Sequence, residues 1–259
     1  QASIHAAEYI GVALREPLVP FRTYLCEFWT RRSKCFAPER DKDEYFNYYF
    51  GMLFTEEPLI KDKKDIIAAK PQVTGDKESM VTMKEWIKVS SYFTPKSAFR
   101  YLYLGQFLKL GNDPPMMHGY YVIDDLVVEE ISSFEALDKN LPLSVGTIIP
   151  LNAVTFLSGT TTFQDKSAKN TLSELADYLE ANPGIKIRIN GHTDSKGSKR
   201  SNVDLSNRRS EYVASILIEY GVKEYRIEWK GFGEEIPIDD NKTAAGRARN
   251  RRVEFEVVK

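Results

Sequence analysis

Residues 190–209 read Asn190-Gly191-His192-Thr193-Asp194-Ser195-Lys196-Gly197-Ser198-Lys199-Arg200-Ser201-Asn202-Val203-Asp204-Leu205-Ser206-Asn207-Arg208-Arg209. Just upstream, Ile185, Ile187 and Ile189 alternate with Lys186, Arg188 and Asn190, the period of a half-buried strand. Just downstream, Val213, Ile216, Leu217 and Tyr220 share one helical face, and Gly221 stops it. The stretch is therefore a strand, a glycine-bounded loop and a helix. Asp194 follows the strand end marked by Gly191, and Gly197 lets the loop turn. Arg209 is expected about one turn into the helix if Ser201 or Asn202 caps it. Strand end and helix start are neighbours in such a unit, so carboxylate and guanidinium project into one pocket. A fixed anion and a fixed cation suit the ammonium and carboxylate of an amino acid. A guanidinium binds a carboxylate with two parallel hydrogen bonds, which lysine cannot do. Backbone N–H groups at the helix start add donors for the same carboxylate. On charge and spacing alone a second reading stands beside this one: an Asp194–Arg209 ion pair that only fastens loop to helix.

Working outward, the same alternation of strand and helix continues. Asn152 to Phe156 reads as a strand. Leu172, Leu175, Ala176 and Leu179 form a helical stripe, capped by Asp165 or Ser167 and stopped at Asn182-Pro183-Gly184. Ile227 to Phe232 and Arg252 to Val258 are two further strands. The order β-α-β-α-β-β predicts helices on one side of a mixed sheet over residues 148–259. Residues 131–147 read as a linker, because Asp138-Lys139-Asn140-Leu141-Pro142-Leu143 has turn and breaker chemistry.

Residues 1–130 read as β throughout. Tyr24 to Trp29, Tyr45 to Phe54, Trp86 to Phe93, Tyr101 to Phe107 and Tyr120 to Val128 are aromatic-rich runs separated by charged and proline-bearing segments. Many strands without a convincing helix predict a two-sheet sandwich. Lys61 to Lys84 is polar and reads as a loop with room for one short helix. The aromatics have two uses: they fill the core that a sandwich needs, or they stack on sugars or on a protein partner. Asp124 and Asp125 invite a calcium reading, but adjacent acids on a strand point to opposite faces.

The chain has 259 residues and a formal net charge of −1, which argues against a nucleic-acid partner. No apolar run approaches the roughly 20 residues needed to cross a bilayer as a helix. The sequence opens at Gln1 without a methionine or signal peptide, so an export signal or lipid anchor is expected upstream of it. Two cysteines, Cys26 and Cys35, form either one bridge or two packed thiols. The three histidines, His5, His118 and His192, have no ligand spacing for zinc. No nucleophile–histidine pattern is present at motif level, so neither a catalytic residue, a metal nor a cofactor is expected. His192 reads as a loop residue with local hydrogen bonds.

Residues 148–259 resemble the OmpA-like peptidoglycan-binding domain, found also in Pal-type lipoproteins and flagellar stator proteins. The matching residues are Gly191-His192-Thr193-Asp194 with Gly197, Asn202 with Leu205-Ser206 and Arg209, and Gly231-Phe232-Gly233-Glu234 with Pro237. Gly246-Arg247-Ala248 with Asn250-Arg251-Arg252-Val253-Glu254 complete the pattern. The resemblance implies a non-enzymatic protein that binds the diaminopimelate of the peptidoglycan stem peptide through Asp194 and Arg209. Thr193, Asn202, Leu205 and Arg251 match positions that line or approach that pocket. Where relatives often carry an acid after the first strand, this chain has Leu157-Ser158-Gly159-Thr160.

Residues 1–130 resemble a carbohydrate-binding-module-like jelly roll with a galactose-binding-like fold, incomplete at its start. The resemblance rests on Glu8-Tyr9-Ile10-Gly11, Pro17-Leu18, Trp86-Ile87-Lys88-Val89, Tyr103-Leu104-Gly105-Gln106-Phe107 and Tyr121 with Ile123-Asp124-Asp125-Leu126. Such a module followed by an OmpA-like domain is similar to cell-envelope proteins of Bacteroidota. That implies a periplasmic protein associated with the outer membrane as a lipoprotein or as part of a larger envelope complex. Its partners would be peptidoglycan, an outer-membrane protein and, through the sandwich, a carbohydrate. Two roles follow: a tether to the wall, or a scaffold of an outer-membrane assembly in which wall binding is secondary.

Overall fold

The computed structural model describes residues 9–32, 48–59, 67–75, 85–108 and 121–259. The chain divides into two compact units, Gln1–Pro20 with Tyr24–Glu129, and Phe21–Thr23 with Glu130–Lys259. No helix among the described residues is long and apolar enough to cross a membrane.

The first unit is built from strands β1 (Tyr9–Ala13), β2 (Tyr24–Arg32), β3 (Tyr48–Thr55), β4 (Val73–Thr74), β5 (Ile87–Phe93), β6 (Tyr101–Leu108) and β7 (Tyr121–Glu130). They form two sheets, ordered β1-β6-β3-β4 and β5-β2-β7. Along β2, Tyr24, Cys26, Phe28 and Thr30 are buried, while Leu25, Glu27 and Trp29 between them are half-buried. That period of two turns one face of the smaller sheet inward. There it meets Phe50, Met52 and Phe54 of β3 and Leu102 and Leu104 of β6 in one core. The opposite face of the larger sheet is covered as well: Leu53, Tyr103, Phe107 and Ile67 form a second cluster, joined by Tyr9, Tyr49 and Tyr101. Most of the aromatic runs therefore fill core. Trp86 is the exception among the tryptophans of this unit, at 38% exposed with the Arg31 guanidinium 5.2 Å from its ring centroid.

Cys26 is fully buried, and burial pushes its thiol pKa up to about 12. Cys35, His5, His118 and most of the Lys61–Lys84 stretch lie outside the described residues. Asp124 and Asp125 are both exposed on β7, and Asp124 accepts the Asp125 N–H at 2.9 Å.

In the second unit the elements are β8 (Ile148–Pro150), α1 (Ser167–Ala181), β9 (Ile187–His192), α2 (Lys199–Glu219), β10 (Ile227–Gly233), α3 (Ala244–Asn250) and β11 (Val253–Val257). The sheet order is β10-β9-β11-β8. β10 runs parallel to β9, and β11 runs antiparallel to both β9 and β8. Ile149, Leu172, Leu175, Leu179, Ile187, Ile189, Val213, Leu217 and Phe255 are essentially solvent-free and form the core.

Four expectations are corrected here. The first strand lies at Ile148–Pro150 rather than Asn152–Phe156, because the apolar pair Ile148-Ile149 pairs with β11 and Pro150 has no N–H to prolong the ladder. The order gains a helix, β-α-β-α-β-α-β, because Thr243 caps α3 by accepting the Gly246 N–H at 2.9 Å. The cap of α2 is Ser198, whose hydroxyl accepts the Ser201 N–H at 3.1 Å. Arg209 is thus the eleventh residue of α2 and not one turn inside it. Finally, residues 131–147 are packed and not a free linker. Ile131, Phe134, Leu137 and Leu143 are buried, and Phe134 meets Tyr178 and Phe255 edge-on, each with centroids 6.1 Å apart.

Glycine decides how α2 lies on the sheet. A Cβ at Gly191 would come 2.5 Å from the Ser206 carbonyl oxygen, and one at Gly231 would come 2.2 Å from the Asn207 nitrogen. The helix backbone rests directly on β9 and β10 at these points. Asn207 Oδ1 accepts the Gly231 N–H at 2.6 Å and Ser206 Oγ accepts the Gly233 N–H at 2.9 Å, so helix side chains satisfy donors of the edge strand.

Candidate functional site

Asp194 stands two residues past the end of β9 and is 7% exposed. Its Oδ1 accepts the Lys196 N–H at 3.0 Å, closing an Asx-type turn over the loop. Its Oδ2 accepts from Arg251 Nη1 at 2.7 Å. Burial opposes its ionisation. The Arg251 and Lys196 hydrogen bonds and charges outweigh that and hold the carboxyl below the usual aspartate range.

Three neighbouring elements fix the loop. Asn202, in the first turns of α2, donates Nδ2–H bonds to the Asp194 carbonyl at 3.2 Å and to Glu234 Oε2 at 2.5 Å. The Thr193 N–H donates to the Gly233 carbonyl at 2.8 Å, tying the loop to β10. Asn241 Oδ1 accepts the Ser195 N–H at 3.2 Å. Asn241 is itself held by Asn250, fully buried at the end of α3. Asn250 also accepts the N–H groups of Ile238 and Asp239 at 2.8 and 3.0 Å. The same turn that places Arg251 against Asp194 thus anchors the loop that supports Asp194 from the other side.

Arg209 is 5% exposed and makes no ion pair with Asp194. Its Nε donates to the Thr160 carbonyl at 2.9 Å and its Nη2 to the Leu157 carbonyl at 3.1 Å. Its guanidinium lies 4.9 Å from the Phe156 ring centroid. Burial lowers its pKa, Arg251 and Arg208 lower it further, and Asp194 acts in the opposite sense. The backbone carbonyls of Leu157 and Thr160 are the groups that hold Arg209. They belong to a small hairpin closed by a Phe156–Phe163 bridge and turned at Gly159, whose φ is +72°. Phe163 packs in tilted contact against Phe156, with centroids 5.1 Å apart, and against Tyr212 of α2 at 5.3 Å, which pins the hairpin beside Arg209.

Of the six residues singled out in the sequence, Asp194, Asn202 and Arg251 form one hydrogen-bonded group. Arg209 joins it through charge and not through contact. The Thr193 hydroxyl is buried beside the group and has no hydrogen-bond partner among the described residues. Leu205 is half-buried one turn before Arg209 on the same helix. Sequence reasoning missed Asn241, Glu234 as a contact, and the Phe156–Phe163 hairpin. The hairpin had a signal: two phenylalanines flanking Ser158-Gly159, a turn dipeptide.

His192 belongs to a separate buried cluster. Its Nε2 lies 3.0 Å from Glu254 Oε1, and Arg252 Nε donates to Glu254 Oε2 at 2.9 Å. The ring stacks on Phe232 with centroids 5.3 Å apart. Burial is the main cause holding His192 below its ordinary pKa, against the pull of Glu254. Among the described residues no group of three or more His, Cys, Asp or Glu side chains is placed to hold a metal ion.

Residues 155–251 match the OmpA family. The chain is 46% identical over 87 residues to outer membrane porin F of Pseudomonas aeruginosa, which covers 33% of this chain and 25% of that protein. It is 44% identical over 80 residues to the peptidoglycan-associated lipoprotein of Legionella pneumophila, 31% of this chain and 46% of that one. It is 44% identical over 86 residues to the peptidoglycan-binding protein ArfA of Mycobacterium tuberculosis, 33% of this chain and 26% of that one. The chain thus spans between a quarter and a half of the length of these curated relatives. The C-terminal part of this chain, residues 155–251, is an OmpA-like domain.

Proposed function

We propose that the second unit is a non-catalytic peptidoglycan anchor that holds the free ammonium and carboxylate of diaminopimelate in the stem peptide. One observation carries this reading. Inside the matched stretch, a buried ionised carboxylate, Asp194, is grouped with two guanidiniums, Arg209 and Arg251, at the end of β9. Arg209 is held rigid by the 157–160 carbonyls and keeps its charge in a largely desolvated setting, which favours a ligand carboxylate. Asp194 offers the matching anion for the ligand ammonium. Similarity to a peptidoglycan-associated lipoprotein and to a peptidoglycan-binding protein supports peptidoglycan as the partner.

The first unit meets a partner in this reading, an outer-membrane protein or a glycan, and the chain works in the periplasm at the outer membrane. Similarity to an outer membrane porin and to a lipoprotein supports that placement. The test is co-sedimentation with purified sacculi. The native chain is expected in the pellet, and Asp194→Ala and Arg209→Ala in the supernatant with their fold intact. Normal sedimentation of both variants would sink the assignment.

A further inference from the structure

Glu234 follows β10 directly and is half-buried. Its carboxylate accepts from the same Asn202 amide that donates to the Asp194 carbonyl, so one side chain ties Glu234 to the backbone that carries Asp194. The difference between them lies in their counter-ions. Asp194 has Arg251 on one oxygen and the Lys196 N–H on the other. Glu234 has no basic partner among the described residues. A carboxylate partly withdrawn from water, fixed by a hydrogen bond and lacking a cation, is an unfilled place for one.

We infer that Glu234 is a second acid of the binding site and receives the ligand ammonium together with Asp194. This rests on the diaminopimelate reading given above and deepens it, by naming the residue that makes the site selective for a free amine. Asn202 is then the spacer that sets the two acids apart, and Arg209 and Arg251 face the ligand carboxylate.

The experiment compares two tripeptides, L-Ala-D-Glu-meso-diaminopimelate with its side-chain amine free and the same peptide with that amine acetylated. Each is titrated calorimetrically into the native chain, Glu234→Gln and Glu235→Gln. Glutamine keeps the shape and an oxygen for Asn202 but no charge. The native chain and Glu235→Gln, an exposed neighbour, are expected to prefer the free amine by about tenfold or more, and Glu234→Gln to lose most of that preference. A Glu234→Gln chain that keeps the full native preference overturns the role of Glu234 while leaving the anchor reading intact. A native chain that binds neither peptide overturns the diaminopimelate reading itself, and this one with it.

Discussion

Arg251 and Asp194 form an asymmetric ion pair: the acid is 9% exposed at its side chain, the arginine 48%, and they meet at 2.7 Å. The acid is fixed by the loop and the base reaches it from solvent. This arrangement sets the charge of Asp194. In the folded chain its pKa lies below the ordinary value of about 3.9. The stability that it contributes is therefore present above that ordinary value and is lost as pH falls through the depressed folded value. Arg251→Ala removes a hydrogen bond and a charge that lower the pKa, so the Asp194 titration is expected to move upward. A carboxyl chemical-shift titration by NMR reads this directly. An unmoved titration in the variant would mean that Arg251 does not set the charge of the acid.

Arg209 holds two carbonyls of the 157–160 turn with two different nitrogens. Lysine has one nitrogen and no planar fork. Arg209→Lys is expected to cost about 1.5–3 kcal/mol in stability through the lost charged hydrogen bond. It is also expected to release the Phe156–Phe163 hairpin. Urea denaturation gives the first quantity and amide exchange at Thr160 and Thr162 the second. Native protection of those amides in the variant would separate the hairpin from Arg209.

The close approach of α2 to the sheet leaves no room at Gly231. Its Cβ would lie 2.2 Å from a backbone nitrogen and 2.5 Å from Ser206 Oγ. Gly231→Ala is expected to destabilise the second unit by about 1–3 kcal/mol, since backbone must shift. Because Asn202, Ser206 and Arg209 ride on the same helix, sacculus binding should weaken in parallel. A variant with native urea midpoint and native binding would contradict the packing described here.

Arg226 is 5% exposed and donates to backbone carbonyls. Its Nη2 donates to the carbonyls of Leu179, Asn182 and Ile185, each at 2.8 Å, and its Nε to Ile185 at 3.0 Å. It closes the C-terminal end of α1, where carbonyls lack helical partners and a cation is favoured. Arg226→Ala is expected to lower stability by about 2–4 kcal/mol and to leave ligand affinity unchanged. Calorimetric titration of the folded variant checks the second half. A large loss of affinity would show that α1 and the site are coupled.

The strand–loop–helix unit was legible because periodicity and glycine placement act locally. Ile187 and Ile189, Gly197 and the Val213–Leu217 face do in the fold what their spacing implies, whereas Gly191, read as the strand end, lies inside β9 and makes room for α2. The ion pairing of Asp194 was not legible. Two arginines compete for one acid, and Arg251 wins from 57 residues away because Asn250 fixes the turn before it. Spacing alone favoured the nearer Arg209. The first strand was misplaced because Ile148-Ile149 and Val154-Thr155-Phe156 are equally β-prone, and only pairing with β11 distinguishes them. The two cores of the first unit were readable as aromatic surplus. Which face each aromatic takes depends on sheet order, which the sequence does not encode locally.

The central claim is that Asp194 and Arg209 serve one ligand from two ends. The direct measurement is calorimetric titration of meso-diaminopimelate tripeptide into the native chain, Asp194→Ala and Arg209→Ala. Saturable binding by the native chain is expected, with a loss of about 2–5 kcal/mol in each variant, the cost of removing one partner of a desolvated charged contact. Native affinity in both variants, with their folds intact, would contradict it.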